Sequence, residues 1–132
     1  MPNHDTHVLN DDEIAEGAWR IRSRSHQPQE DLGLYYILLA TGARPLEIAR
    51  LEIRDYLDPK GRVRKASEIR PEVAINGRSR PLFFRSARLD AALGGYLAER
   101  VALKLGLGAD GAYGGLHPAS RLFLSSGGRG FE

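Results

Sequence analysis

A glycine break between two helical patterns, at residues 42–45, constrains the fold of this chain more than any other feature. Residues 30–41 are apolar on nearly every face, which predicts a helix at the centre of the core. Gly42 suits the end of that helix because glycine tolerates the left-handed conformation, and Pro45 suits the first turn of a third helix. Arg44 is therefore expected at the mouth of the third helix, where its planar guanidinium can hold a phosphate or a carboxylate through two parallel hydrogen bonds.

Capping patterns and apolar spacing predict a helix on each side of this central pair. Asn10 has the position of an N-cap, and Glu13 follows three residues later, before a first helix expected over 11–24. Ser86 is expected to cap a fourth helix over 87–105, which the two adjacent glycines in its middle should weaken.

The pattern changes from helical to extended after the third helix, which is expected over 45–53. A turn at 58–61 leads towards two short extended segments, 72–75 and 78–84. The Asn-Gly pair at 76–77 between them is a strong signal for a type I′ hairpin. The predicted fold class is α+β, mainly helical, with a small antiparallel β-hairpin.

Basic residues are concentrated in one part of the chain. Residues 60–88 hold nine basic and two acidic side chains, whereas the whole chain has a net charge of +2. Sixteen of the nineteen basic residues are arginine, which favours bidentate phosphate contacts over diffuse attraction. The asymmetry indicates a nucleic-acid surface, and a solvated charged loop is the alternative that charge alone leaves open.

Composition excludes several other classes of protein. The chain has no cysteine, which excludes a disulfide scaffold and a thiolate metal site and fits a reducing cytoplasm. The longest apolar run, 32–40, is too short to cross a bilayer. His4 and His7 lack the further ligands that zinc needs, so residues 1–8 are expected to be a disordered tail and no metal or cofactor is expected.

The glycine break is part of a longer motif with seven residues at fixed spacing, Thr41-Gly42-x-Arg44-x-x-Glu47-Ile48-x-x-Leu51-x-x-x-Asp55. This motif resembles the first arginine box of the tyrosine recombinases, also called phage integrases. The order of the predicted elements resembles that family too: two helices before the box, then a basic hairpin and a long helix. The resemblance implies that residues 9–132 are a partial integrase-type catalytic domain that lacks its C-terminal half.

The resemblance also implies roles for single residues. In that family, the arginine at the position of Arg44 holds the scissile phosphate while a tyrosine attacks the phosphorus and forms a 3′-phosphotyrosyl link to DNA. Positive donors stabilise the charge that builds on the non-bridging oxygens. Glu47 and Asp55 resemble supporting positions behind that arginine. Four basic side chains of the following segment would contact the DNA backbone: Lys65, Arg70, Arg78 and Arg80.

The chain departs from the family pattern in the hairpin. The family carries a lysine there, which acts as a general acid on the leaving oxygen. Alignment of the basic return strand places this lysine near 74–76, where the chain has none. Lys65 is the nearest lysine, so either it reaches the site from a longer hairpin or the role is absent.

A second departure concerns the nucleophile. The family needs a His-x-x-Arg box and a late tyrosine, but His117 and Arg121 are spaced one residue too far apart, with Pro118 between them. None of the five tyrosines occupies the place of the nucleophile: Tyr35, Tyr36, Tyr56, Tyr96 and Tyr113. The resemblance therefore implies a chain that binds DNA but does not cleave it alone.

The function expected from these observations is that of a DNA-binding fragment of a site-specific tyrosine recombinase from a mobile element, acting in DNA integration and recombination. The alternative is a non-catalytic DNA-binding module or regulator derived from an integrase, and a third is an RNA- or protein-binding domain that shares the motif by chance. The expected partners are double-stranded DNA and either a full-length recombinase or the missing C-terminal half. The expected location is the cytoplasm, associated with DNA and not with a membrane.

Overall fold

The computed structural model describes residues 9–84 and 86–124, so the predicted tail over 1–8 lies outside the described residues. Within those ranges the chain is mainly helical with one two-stranded antiparallel sheet, which confirms the predicted α+β class. Among the helices described, none is both long enough and apolar enough to cross a membrane. The elements in chain order are α1 (Asp11–Arg24), α2 (Pro28–Thr41), α3 (Pro45–Arg50), α4 (Ile53–Tyr56), β1 (Ser67–Ile69), β2 (Arg80–Leu82) and α5 (Ala87–Ala102).

Helix α2 lies at the centre of the core, as its apolar composition predicts. It packs against both α1 and α5, and Tyr36 and Ile37 are buried in these contacts. Gly33 allows α5 to approach closely, because a Cβ at this position would lie 2.7 Å from Leu93 Cδ2. The helix begins at Pro28, two residues earlier than predicted, since proline is well suited to the first turn.

The two outer helices form largely where their capping patterns place them. Helix α1 has the predicted bounds, and its capping box is complete: Asn10 Oδ1 accepts from the Glu13 N–H at 2.8 Å, and Glu13 Oε1 accepts from the Asn10 N–H at 3.0 Å. Ser86 Oγ caps α5 by accepting from the Leu89 N–H at 3.1 Å. Helix α5 ends at Ala102, three residues before its predicted end.

The predicted third helix is wrong as a single element, because the chain forms α3 and α4 with a break between them. Leu51 takes an extended conformation with ψ of 146°, and its carbonyl accepts from the Leu122 N–H at 2.8 Å. Glu52 pairs with Arg121 in an isolated antiparallel bridge. Asp55 then caps the new helix by accepting from the Glu52 N–H at 2.8 Å. Pairing with a segment some seventy residues away thus overrides the local helical pattern.

The hairpin exists, but its first strand lies upstream of the predicted one. β1 and β2 pair antiparallel, whereas the predicted strand over 72–75 is wrong because those residues form turns. The Ala74 N–H, for example, donates to the Arg70 carbonyl at 2.9 Å. The predicted type I′ turn is also wrong, since it needs positive φ at both residues of the Asn-Gly pair and only Gly77 has it, at 73°.

The segment after α5 returns to the core. Leu122 and Phe123 are fully buried, and the Phe123 ring stacks on Tyr96 with 5.8 Å between ring centroids. Arg100, whose side chain is also buried, donates to the carbonyls of Arg121 at 2.7 Å and Leu122 at 3.0 Å. This guanidinium therefore satisfies carbonyl groups of the returning segment, and it holds that segment against α5.

Candidate functional site

The backbone around Arg44 is fixed by local hydrogen bonds. Gly42 takes the left-handed conformation with φ of 68° and ends α2, as predicted. Thr41 Oγ1 accepts from the Ala43 N–H at 3.1 Å and bridges the break. Arg44 is then extended, with φ of −78° and ψ of 150°, and Pro45 begins α3. The junction between the two helices therefore fixes the position of the Arg44 Cα atom and the direction of its Cα–Cβ bond.

Arg44 is exposed, and its role depends on what its guanidinium contacts. It makes no hydrogen bond or ion pair with any residue that the structure describes. A structural ion pair with Glu47, which would be the simplest role for an arginine at this spacing, does not form, because that carboxylate is bound by other donors. Arg44 thus has a fixed backbone and a solvent-facing guanidinium, whose five N–H donors are not used by any residue that the structure describes.

Glu47 is buried at 1% exposure and lies at the centre of a small network. Its Oε1 accepts from the Arg44 backbone N–H at 3.1 Å, and its Oε2 accepts from the Ile75 N–H at 3.1 Å. The guanidinium of Arg80 donates to both oxygens, with Nη1 at 2.8 Å from Oε2. These hydrogen bonds, led by those from Arg80, lower the pKa of Glu47 to about 2 despite its burial.

Asp55 forms a second network of the same kind. This carboxylate is 3% exposed and accepts from Arg70 in bidentate fashion, with Nε at 2.7 Å and Nη2 at 2.9 Å. Arg70 also pairs with Glu72 at 3.0 Å. The Asp55 carboxylate, through its hydrogen bonds, raises the pKa of the Arg70 guanidinium. Arg70, predicted as a DNA contact, is therefore engaged within the protein on two sides.

The networks around Glu47 and Asp55 hold the two ends of the connection between β1 and β2. We call residues 71–79 the clamped loop, because Arg70 on one side is bound to Asp55 and Arg80 on the other is bound to Glu47. Its exposed side includes Arg78, whose backbone N–H donates to a neighbouring side chain at 3.0 Å and whose guanidinium has no partner among the described residues. The clamp places Glu47 against the Arg44 backbone N–H, and Arg80 is linked to that backbone through Glu47.

Lys65 lies two residues before β1 and is exposed, with no side-chain partner in the part of the chain that the structure describes. The position where the family pattern places its lysine, 74–76, falls in the clamped loop, and Ile75 is 42% exposed there. Because the first strand lies upstream of the predicted one, Lys65 is closer to the hairpin than the sequence suggests. A role of Lys65 at the site stays a prediction.

A surface depression of about 540 Å³ lies beside the Asp55 network. Two of the arginines that line it, Arg54 and Arg64, were not singled out by sequence reasoning, although the excess of basic residues over 60–88 includes Arg64. Arg54 pairs with Glu52 at 2.8 Å, and Arg64 Nε donates to the Arg54 carbonyl at 2.8 Å. Arg54 and Arg70 in this depression are therefore paired with carboxylates, whereas Arg64 donates to a neutral carbonyl and keeps its charge.

The tyrosines are held in ways that disfavour nucleophilic attack. Tyr56 donates to Asp90 at 3.1 Å, and Tyr96 donates to Glu30 at 3.3 Å. Burial raises the pKa of Tyr96 to about 12 and also raises the pKa of Tyr56 strongly. Tyr113 is half-buried at the edge of the depression. A high pKa leaves little phenolate at neutral pH, so the two buried hydroxyls are poor nucleophiles as they stand.

Comparisons with protein-family models, with curated proteins and with solved structures found no match to this chain. Within the described residues, no group of three or more histidine, aspartate or glutamate side chains could hold a metal ion. A functional assignment therefore depends on the motif around Arg44 and on the geometry of the surrounding residues.

Proposed function

We propose that this chain is the DNA-binding fragment of a site-specific tyrosine recombinase, in which Arg44 contacts the scissile phosphate. The observation that carries the proposal is the state of Arg44: an exposed guanidinium without a partner among the described residues, on a backbone fixed by the junction of two helices. An unpaired, well-positioned arginine can bind two phosphate oxygens at once, which suits recognition of a phosphodiester.

The surroundings of Arg44 add to this support. The carboxylate that binds the Arg44 backbone N–H, that of Glu47, is also bound by Arg80 and by the Ile75 N–H, so it does not compete for the Arg44 guanidinium. Arg78 of the clamped loop and Lys65 before β1 are exposed cations without described partners. Contacts from such residues to the DNA backbone position a protein without reading the base sequence.

The proposed activity is binding and not strand cleavage by these 132 residues alone. The sequence contains no His-x-x-Arg box, and the buried tyrosines Tyr56 and Tyr96 are bound to carboxylates. A complete site would need the second arginine and the nucleophile from a further segment or from a full-length recombinase. A non-catalytic DNA-binding regulator derived from an integrase is the second candidate, because the same absence of a nucleophile is compatible with it.

The test of this proposal is the affinity of the Arg44→Ala variant for labelled duplex DNA, measured by fluorescence anisotropy at several salt concentrations. We expect the loss of a charge-assisted phosphate contact to weaken binding roughly 10- to 100-fold. We also expect the slope of log affinity against log salt to become shallower by about 0.9.

The matched control is Arg20→Ala, which removes an exposed arginine from α1, where it pairs with Glu16 at 2.6 Å. This variant has the same change in net charge, but Arg20 lies outside the motif around Arg44 and outside the basic residues 60–88, so its affinity should stay close to that of the wild type. Equal affinities for Arg44→Ala and the wild type would refute a phosphate role for Arg44, and preference for RNA over duplex DNA would favour the RNA-binding alternative.

A further inference from the structure

The carboxylate of Glu47 joins three parts of the chain in a symmetrical way. Oε1 accepts from the Arg44 N–H at 3.1 Å and from Arg80 Nη2. Oε2 accepts from the Ile75 N–H at 3.1 Å and from Arg80 Nη1 at 2.8 Å. Each oxygen therefore binds one backbone amide and one nitrogen of the same guanidinium, so a single buried group links the start of α3, the clamped loop and β2.

Arg80 is the only cation that the described residues supply to this carboxylate. Glu47 is 1% exposed with Arg80 in place, and without Arg80 it keeps only two neutral amide donors. A buried charge without its partner is unfavourable, so the carboxylate must reach solvent or take up a proton. Either change weakens its hold on the Arg44 and Ile75 amides.

From this geometry we propose that Glu47 and Arg80 are positioning residues: together they fix the Arg44 backbone against the clamped loop, and Arg80 acts on a bound phosphate through Arg44 and not by direct contact. The part that concerns DNA rests on the proposed function. The edge of the Arg80 guanidinium formed by Nη1 and Nη2 is already occupied by the two oxygens of Glu47, so a phosphate cannot bind both of these nitrogens end-on without displacing the carboxylate.

The first experiment needs no DNA: amide hydrogen exchange of the whole chain, measured by NMR in the wild type and in Arg80→Gln. We expect the Arg44 and Ile75 amides to exchange about 10-fold faster in the variant, because their acceptor is no longer held. The Gly42 amide, which donates to Leu38 at 3.1 Å and does not touch Glu47, should change little. Unchanged exchange at Arg44 and Ile75, or equal acceleration at Gly42, would overturn the proposal.

The second experiment is a double-mutant cycle on DNA affinity with Arg80→Gln, Arg44→Ala and the double variant. If Arg80 acts through Arg44, its substitution weakens binding in the wild-type background and has no further effect once Arg44 is gone. Additive losses would instead mean a separate phosphate contact by Arg80 and would reject a positioning role. If Arg44→Ala has no effect on DNA affinity, the proposed function fails, and the exchange measurement still decides whether the pair holds the Arg44 backbone.

Two further variants distinguish a positioning role from a direct contribution of charge to DNA affinity. Arg80→Lys keeps the charge but not the two-pronged geometry, so we expect it to restore little of the affinity, whereas a plain phosphate contact would be largely restored. Glu47→Gln removes a negative charge beside a proposed DNA surface, which by charge alone should tighten binding. We expect it to weaken binding, and tighter binding by a folded Glu47→Gln variant would count against the proposal.

Discussion

Glu47 and Asp55 are each bound in bidentate fashion by an arginine from the hairpin region, and this pairing sorts the basic residues into two groups. Arg70 and Arg80 form ion pairs within the protein, while the Arg44 guanidinium has no partner among the described residues. The number of arginines in a sequence therefore says little about the charge available to a ligand. The placement of two buried carboxylates determines which guanidinium faces outward unpaired.

The low pKa of Glu47 leads to a prediction about stability at acidic pH. Hydrogen bonds from Arg80 and two amides lower this pKa from 4.5 to about 2 in the folded protein. The ionised carboxylate thus stabilises the fold fully above about pH 4.5, and the contribution is lost as the pH falls towards 2. We expect the wild type to exceed Glu47→Gln in free energy of unfolding at pH 7, and the difference to shrink over that window.

Urea denaturation at pH values from 7 to 2.5 measures this difference. The control is Glu68→Gln, which removes an exposed carboxylate from β1 and should give a small difference that varies little with pH. A difference between wild type and Glu47→Gln that stays constant across the acidic range would show that the network does not stabilise the charged form of Glu47.

The sequence predicts the backbone around Arg44 better than it predicts which side chains pair with each other there. The Gly42 break and the start of α3 at Pro45 follow from local backbone preferences, which a sequence carries directly. The partner of Glu47 is Arg80, 33 residues away, and this pairing depends on how the hairpin packs. Spacing within one helix places Glu47 close to Arg44 but cannot show that its carboxylate binds the Arg44 amide and leaves the guanidinium free.

At the scale of secondary-structure elements, the sequence predicts α1 well from local signals, although the local Asn-Gly signal for a type I′ turn is wrong. Helix α1 has the predicted bounds because its capping box and apolar face act within the helix itself. The predicted third helix fails because Leu51 and Glu52 pair with residues 121–122, and the predicted strand at 72–75 fails because the clamped loop is held by side-chain contacts from α3 and α4. These are long-range interactions without a local pattern.

Helix α5 offers a direct test of element stability, since it has Gly94 and Gly95 in its middle. A Cβ at Gly94 would meet no atom within 4 Å, so the substitution to alanine adds helix propensity without a clash. We expect Gly94→Ala to stabilise the protein by about 1 kcal/mol, which raises the melting temperature by about 3–5 °C in a thermal unfolding experiment.

Gly95→Ala is the matched comparison for that variant. A Cβ at Gly95 would lie 3.0 Å from Gln29 Oε1, so the gain in helix propensity is offset by the displacement of that side chain. The increase in melting temperature should therefore be smaller than for Gly94→Ala. An unchanged or lower melting temperature for Gly94→Ala would contradict the expected gain in helix propensity.

At the scale of the whole molecule, the proposed DNA-binding surface and the buried tyrosine hydroxyls lie in different environments. Arg44 has no partner among the described residues and lies at the junction of two helices. Arg70, Arg80 and Arg100 instead donate hydrogen bonds within the protein. The buried tyrosine hydroxyls, by contrast, are bound to Asp90 and Glu30 within the core. The proposed phosphodiester contact by Arg44 therefore does not depend on these two hydroxyls.

This separation predicts the behaviour of the chain towards a nicked DNA substrate that traps covalent recombinase intermediates. We expect non-covalent binding but no covalent adduct on a denaturing gel, because burial raises the pKa of Tyr96 to about 12 and that of Tyr56 strongly, and no His-x-x-Arg box is present to assist. A full-length tyrosine recombinase with the same substrate is the positive control. Tyr113, which is half-buried and lines the same depression as Arg70, is the residue to examine if an adduct does form. An adduct that disappears in Tyr113→Phe would identify it as the nucleophile and would show that binding and cleavage reside in the same 132 residues.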